Sequence, residues 1–195
     1  MTINRLRVLI AEDEAVISMS IAAIIKRLGH HVIGKAKDGR EAVRMARELE
    51  PDIILMDIKM PDIDGLEAAK EILSIKQIPI IILTAYSQPE LIEKADSAGI
   101  SYYLVKPVTE KDLMPGIRLA VSRFKELQAL QKEVGNLKEA LRARKLIEQA
   151  KGLIMEREGI TETEAFKRIQ RQSRDSNIPM AKIAESIIIA SRILK

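Results

Sequence analysis

Short apolar runs alternate with amphipathic stretches over the first two thirds of the chain. Leu6–Ala11, Val32–Ala36, Ile53–Asp57, Pro79–Thr84 and Ser101–Val105 read as five strands. Between them, Ala15–Leu28, Arg40–Leu49, Leu66–Leu73 and Glu90–Ala98 carry apolar residues at helical spacing. This alternation predicts an α/β unit, a doubly wound, five-stranded parallel sheet with crossovers of one hand. Its strands are continuously apolar because helices cover both faces. In such a sheet, ligands bind beyond the carboxyl ends of the strands.

From Lys111 the pattern becomes long helix, with Pro115–Gly116 predicting a soft break. Leu127, Leu130, Val134, Leu137 and Leu141 then recur at spacings of three and four. That is a coiled-coil seam of about two and a half heptads. Arg123 and Arg144 fall on the same register and end it, and Gly135 within it costs about 1 kcal/mol relative to Ala. Three helical stretches follow, Leu141–Arg157, Thr161–Gln172 and Pro179–Leu194, which predict a small all-α three-helix bundle. Thr161 with Glu164 forms a capping-box pattern, and Pro179 suits a first helical turn. Ala143, Ile147, Ala150 and Ile154, then Ala165, Phe166 and Ile169, then Ile183, Ala184, Ile187, Ile188 and Ile193 are its expected inward faces. The organisation expected is therefore 1–120 for the α/β domain, 121–133 for a helical linker or coiled coil, and 134–195 for the bundle.

Composition changes this picture in two places. The chain has no cysteine, which excludes disulfides and thiolate metal sites. Its net charge of +4 is unevenly placed: 19 Lys/Arg face 20 Asp/Glu through Leu137, whereas 13 face 8 from Lys138 onward. A basic module on a near-neutral body points to an anionic partner for the tail. The longest apolar stretch, Ile78–Leu83, is far short of the ~20 residues needed to span a bilayer, and no secretory signal is evident. No membrane association is expected, and the cytoplasm is the expected location.

Chemistry gathers at the predicted strand ends. Glu12 and Asp13 follow the first strand, Asp57 closes the third, Thr84 ends the fourth and Lys106–Pro107 follows the fifth. Singly, each has an ordinary explanation: a cap, a loop acid, a satisfied hydroxyl, a surface lysine. Together they share the ligand-binding edge. Three converging carboxylates repel one another unless a cation lies between them, and all-oxygen donors suit Mg²⁺. A lysine and a hydroxyl opposite them would neutralise a transferring phosphoryl group.

Residues 5–122 resemble the receiver domain of bacterial response regulators, a flavodoxin-like fold, through VLIAEDEA, ILMDIKMPDIDG, IILTA and YYLVKP. The resemblance implies that Asp57 accepts a phosphoryl group from a cognate sensor histidine kinase. It implies that Glu12, Asp13, Asp57 and the backbone carbonyl of Lys59 hold Mg²⁺. Thr84 would bond the phosphoryl group, Lys106 would pair with it, Tyr103 would change rotamer on activation, and the Lys106–Pro107 bond would be cis. Glu12 stands where many relatives carry Asp, and Lys59 adds a cation two residues beyond Asp57.

The tail, from about residue 134, is similar to the ANTAR domain of transcription antitermination regulators, above all in IEQAKGLIM and EAF. That family binds stem-loop RNA. By position, Arg144, Lys151, Gly152, Arg168 and Arg171 become the RNA contacts, although Gly152 and Met155 read equally as helix packing. Arg174 and the Ile178–Pro179 turn depart from the family pattern. The function expected is a non-enzymatic response regulator acting as an RNA-binding antiterminator, dimerising on phosphorylation through the seam. A receiver-controlled DNA-binding transcription factor is the alternative, disfavoured because both breaks between the last helices look longer than a helix-turn-helix turn. A bundle that only docks protein is a third reading. An enzymatic output lacks support, since both histidines, His30 and His31, lie before the tail.

Overall fold

The computed structural model describes residues 5–85, 100 and 102–193. Five strands appear where apolar runs predict them: β1 Arg7–Ala11, β2 His31–Ala36, β3 Ile53–Asp57, β4 Ile80–Thr84 and β5 Tyr102–Val105. They form one parallel sheet in the order β2-β1-β3-β4-β5. Six helices are described: α1 Ala15–Arg27, α2 Gly39–Leu49, α3 Gly65–Ile75, α4 Glu110–Glu158, α5 Glu162–Ser176 and α6 Met180–Ile193. The helix expected at Glu90–Ala98 lies outside the described residues.

Alternation along the strands divides the core into two layers. Leu9, Ala11, Ile54, Met56, Ile80 and Ile82 pack on α2 and α3. Val8, Ile10, Ile53, Leu55, Ile81 and Leu83 pack on α1 and the first turns of α4 through Leu113, Ile117 and Ala120. The inner strands β3 and β4 are buried throughout, whereas the edge strands β2 and β5 are partly open. Asp38 and Asp64 start α2 and α3 by accepting the N–H groups of Glu41 and Glu67 at 2.7 and 2.8 Å.

The expected break at Pro115–Gly116 does not occur, for α4 runs unbroken from Glu110 to Glu158. Pro115 sits near its start, where few intrahelical bonds are at stake. The side chains of Leu127, Leu130, Val134, Leu137 and Leu141 are all exposed along it. The chain divides into two compact units, one ending at Gln128 and one starting at Ala129, so the division falls inside this helix. Among the described residues, no helix is long and apolar enough to cross a membrane.

The second unit builds its own core from Ala150, Ile154, Ala165, Ile169, Ile183, Ala184 and Ile188. Thr161 and Glu164 form the expected capping box at the start of α5. Phe166, expected inside, is exposed. Lying one residue past Ala165, it falls at the margin of the buried face. The connections Gly159–Thr161 and Asn177–Pro179 are three residues each. They are as short as a helix-turn-helix turn, so connection length does not argue against the DNA-binding alternative.

Candidate functional sites

Parallel pairing aligns the strand ends, and that alignment makes the first site. Asp57 lies opposite Leu83, and Thr84 opposite Val105. Backbone bonds carry the alignment past the strands, from Glu12 N–H to Ala36 O at 2.9 Å and from Lys106 N–H to Thr84 O at 2.8 Å. Beyond Asp57 the chain turns back, and Gly65 N–H donates to Ile58 O at 2.8 Å. A Cβ at Gly65 would lie 1.9 Å from the Asp57 carbonyl oxygen, so only glycine lets α3 begin there.

Glu12, Asp57 and Thr84 are buried, while Asp13 and the Lys59 side chain are exposed. The ammonium of Lys106, whose side chain is 12% exposed, lies 2.7 Å from Glu12 Oε2 and 2.8 Å from Asp57 Oδ2. Burial pushes the Glu12 carboxyl above its ordinary pKa, and the Asp57 charge adds to the rise against the pull of Lys106. Burial works to lower the Lys106 ammonium, yet its bonds to Asp57 and Glu12 prevail and hold it above the ordinary value. The Lys106–Pro107 bond is cis. Asp13, Asp57, Ile58, Lys59, Thr84 and Lys106 line a cavity of about 210 Å³. Tyr103, on β5, stacks against Tyr102 with centroids 6.2 Å apart and is partly exposed.

The donor set fits a hard divalent ion. Glu12, Asp13 and Asp57 each offer a carboxylate oxygen, all within 4.8 Å of one another. Glu12 Oε1 is buried without a hydrogen-bond partner among the described residues. The orphaned Glu12 oxygen is the kind of group a metal satisfies.

In the second unit the five basic-tail candidates separate. Arg144, Gly152 and Arg171 are exposed, and neither arginine has an ion pair among the described residues. Arg168 pairs with Glu158 across the α4–α5 connection. Lys151 is buried, with its ammonium 2.8 Å from Glu148 and 2.7 Å from Glu162. Those two carboxylates went unnoticed in the sequence. Glu148 stands one turn before Lys151 on the same helix, a readable signal, but Glu162 lies across a turn. A Cβ at Gly152 would meet nothing within 4 Å, which rules out tight packing within the chain as the reason for that glycine. Met155 does pack on the bundle core.

A receiver-type sheet with an acidic pocket at its carboxyl edge, continued into a basic three-helix unit, defines the class. Residues 8–118 match the response regulator receiver domain and residues 135–188 the ANTAR domain. The chain belongs to the response regulators that join these two domains. It is 50% identical over 182 residues to the transcriptional regulatory protein PdtaR of Mycobacterium tuberculosis, which covers 93% of this chain and 89% of that protein. The chemotaxis protein CheY of Thermotoga maritima is 43% identical over 102 residues, 52% of this chain and 85% of that one. The crystallised receiver domain of a modulated diguanylate cyclase from Desulfovibrio desulfuricans superposes with a TM-score of 0.58 at 33% identity, covering 63% of this chain and 98% of that one.

Proposed function

We propose that this response regulator is a phosphorylation-controlled RNA-binding antiterminator, with Asp57 as its phosphoacceptor. The observation that carries the first half is the Lys106 ammonium held between Glu12 and Asp57 while Glu12 Oε1 has no hydrogen-bond partner among the described residues. An Asp57 oxygen would attack the phosphorus of a phosphohistidine on a sensor kinase, and the imidazole would leave. Lys106, already 2.8 Å from Asp57, would pair with the incoming phosphoryl oxygens, and the Thr84 hydroxyl would donate to one of them. Glu12, Asp13, Asp57 and the Lys59 carbonyl would hold Mg²⁺, which when bound offsets charge on those oxygens. Tyr103 would then change rotamer as Thr84 is drawn toward the phosphoryl group. The domain limits we propose are 1–120, 121–133 and 134–195, with the cytoplasm as the site of action.

The ANTAR match and the charge excess of the tail support stem-loop RNA as the second partner. Arg144 and Arg171, exposed and without an ion pair among the described residues, and Gly152, whose bare backbone admits close approach, are the contacts we put forward. Pairing of two chains along Leu127–Leu141 would follow phosphorylation and present two tails to two stem-loops.

Asp57→Asn should abolish Mg²⁺-dependent labelling by a small phosphodonor, because an amide cannot form the acyl phosphate. Labelling at the wild-type rate would overturn the assignment. Competition between stem-loop RNA and duplex DNA of equal length tests the output, and preference for the duplex would favour a DNA-binding regulator. Light scattering with and without a phosphoryl mimic tests the pairing, and an unchanged mass would sink it.

A further inference from the structure

A lysine in a nucleic-acid-binding helix invites assignment to a phosphate. Lys151 does not fit that role. Its side chain is only 7% exposed, and its ammonium is already bonded to Glu148 at 2.8 Å and Glu162 at 2.7 Å. Bonding to Glu148 and Glu162 holds it above its ordinary pKa, and Lys151 in turn holds Glu162 below its own.

The location explains the arrangement. Glu148 and Lys151 are on α4, while Glu162 opens α5, so the pair crosses the connection between the helices. Three further devices fix the same connection. Gly159 ends α4 in the left-handed region, at φ +66°, and its N–H donates to Met155 O at 2.9 Å. Thr161 and Glu164 close the capping box. Glu158 pairs with Arg168. Ala150 and Ile154, on either side of Lys151, are buried against α5 and α6. A cation there joins core to elbow.

We infer that Lys151 is a positioning residue, an ion-pair clamp that fixes α5 on α4, and makes no contact with RNA phosphate. Its charge is satisfied inside the fold, and it affects RNA only by setting the surface that the exposed cations occupy. The binding arm of the test rests on the RNA reading; the clamp itself does not.

Two readouts on the full chain separate clamp from contact: amide exchange across 162–176, and the salt dependence of stem-loop RNA affinity. Each phosphate contact contributes about 0.7–0.9 to the slope of log K against log salt. Lys151→Met should speed exchange and weaken binding without changing the slope, whereas Arg144→Ala should lower the slope by one contact and leave exchange alone. Glu162→Gln, at an exposed position that tolerates change, should also speed exchange. If Lys151 met phosphate, losing that competing carboxylate would instead tighten binding, and tighter binding would overturn the clamp. The charge swap Lys151→Glu with Glu162→Lys is decisive. It returns a cation between two carboxylates but leaves none at position 151, so the clamp predicts recovery of both exchange protection and affinity. A swap that stays defective in binding with the slope lowered by one contact refutes the proposal. Should the wild-type chain bind no RNA, the RNA reading falls. The clamp is then judged by exchange alone, where Lys151→Met and Glu162→Gln must not add.

Discussion

Two lysines, one in each unit, sit in nearly the same geometry and mean different things. Lys106 lies 2.7 and 2.8 Å from Glu12 and Asp57; Lys151 lies 2.7 and 2.8 Å from Glu162 and Glu148. What differs is the acids. Glu12 and Asp57 are buried, while the side chains of Glu148 and Glu162 are 55% and 67% exposed. Water solvates the second pair of carboxylates and leaves that cluster in balance. It barely reaches the first, and the Glu12 side chain not at all, so desolvation raises Glu12 and strands one of its oxygens among the described residues. A lysine held between two carboxylates thus marks chemistry when those acids are buried, and architecture when they are not.

The largest test of this contrast is Lys106→Met. It leaves two buried carboxylates without their cation, and receiver stability should fall by about 3 kcal/mol in chelator, as for other broken buried pairs. Millimolar Mg²⁺ should restore part of the loss, read by urea denaturation, and should leave exchange in α5 untouched. Equal rescue in both units would erase the distinction. Next in size is Gly65→Ala, whose added carbon meets the Asp57 carbonyl. We expect a loss of about 1–3 kcal/mol and a larger proportional loss of phosphoryl labelling. Gly152→Ala should do the opposite and raise the melting point of the tail, worth about 1 kcal/mol, because its added carbon meets nothing. If RNA affinity rises with it, Gly152 is not a point of close approach.

The smallest effect is with pH. Lys151 lowers Glu162, and the Thr161 N–H lowers Glu164, so the folded tail binds these protons less readily than the unfolded chain. Their stabilisation is present above the ordinary carboxyl value of 4.5 and is lost as pH falls through the depressed values. Protection factors in α5, which correct for the slower intrinsic exchange in acid, should therefore fall on acidification below that point, and Glu162→Gln should flatten the profile.

How much was legible follows the same division. Ile53–Asp57 was readable to the residue because an inner strand buried on both faces leaves no polar interruption. The acidic pocket was readable because parallel strands bring Glu12, Asp57, Thr84 and Lys106 to one edge by topology alone. The tail was less so. Periodicity reports which stripe of a helix is apolar, but not what meets its margins, so Phe166 was assigned inward. The second partner of Lys151, Glu162, lies eleven residues away across a turn whose angle no local pattern encodes. Pro115 was read as a break because proline disfavours helix interiors, but position within the helix decides the cost.

The exposed leucines of α4 carry one more consequence. Under the proposed pairing, so short a seam binds weakly, and association then obeys mass action. The fraction of paired chains would depend on protein abundance as well as on phosphorylation. Doubling the copy number at a fixed signal would increase the paired population, so the level at which a cell expresses this regulator would itself set its response threshold.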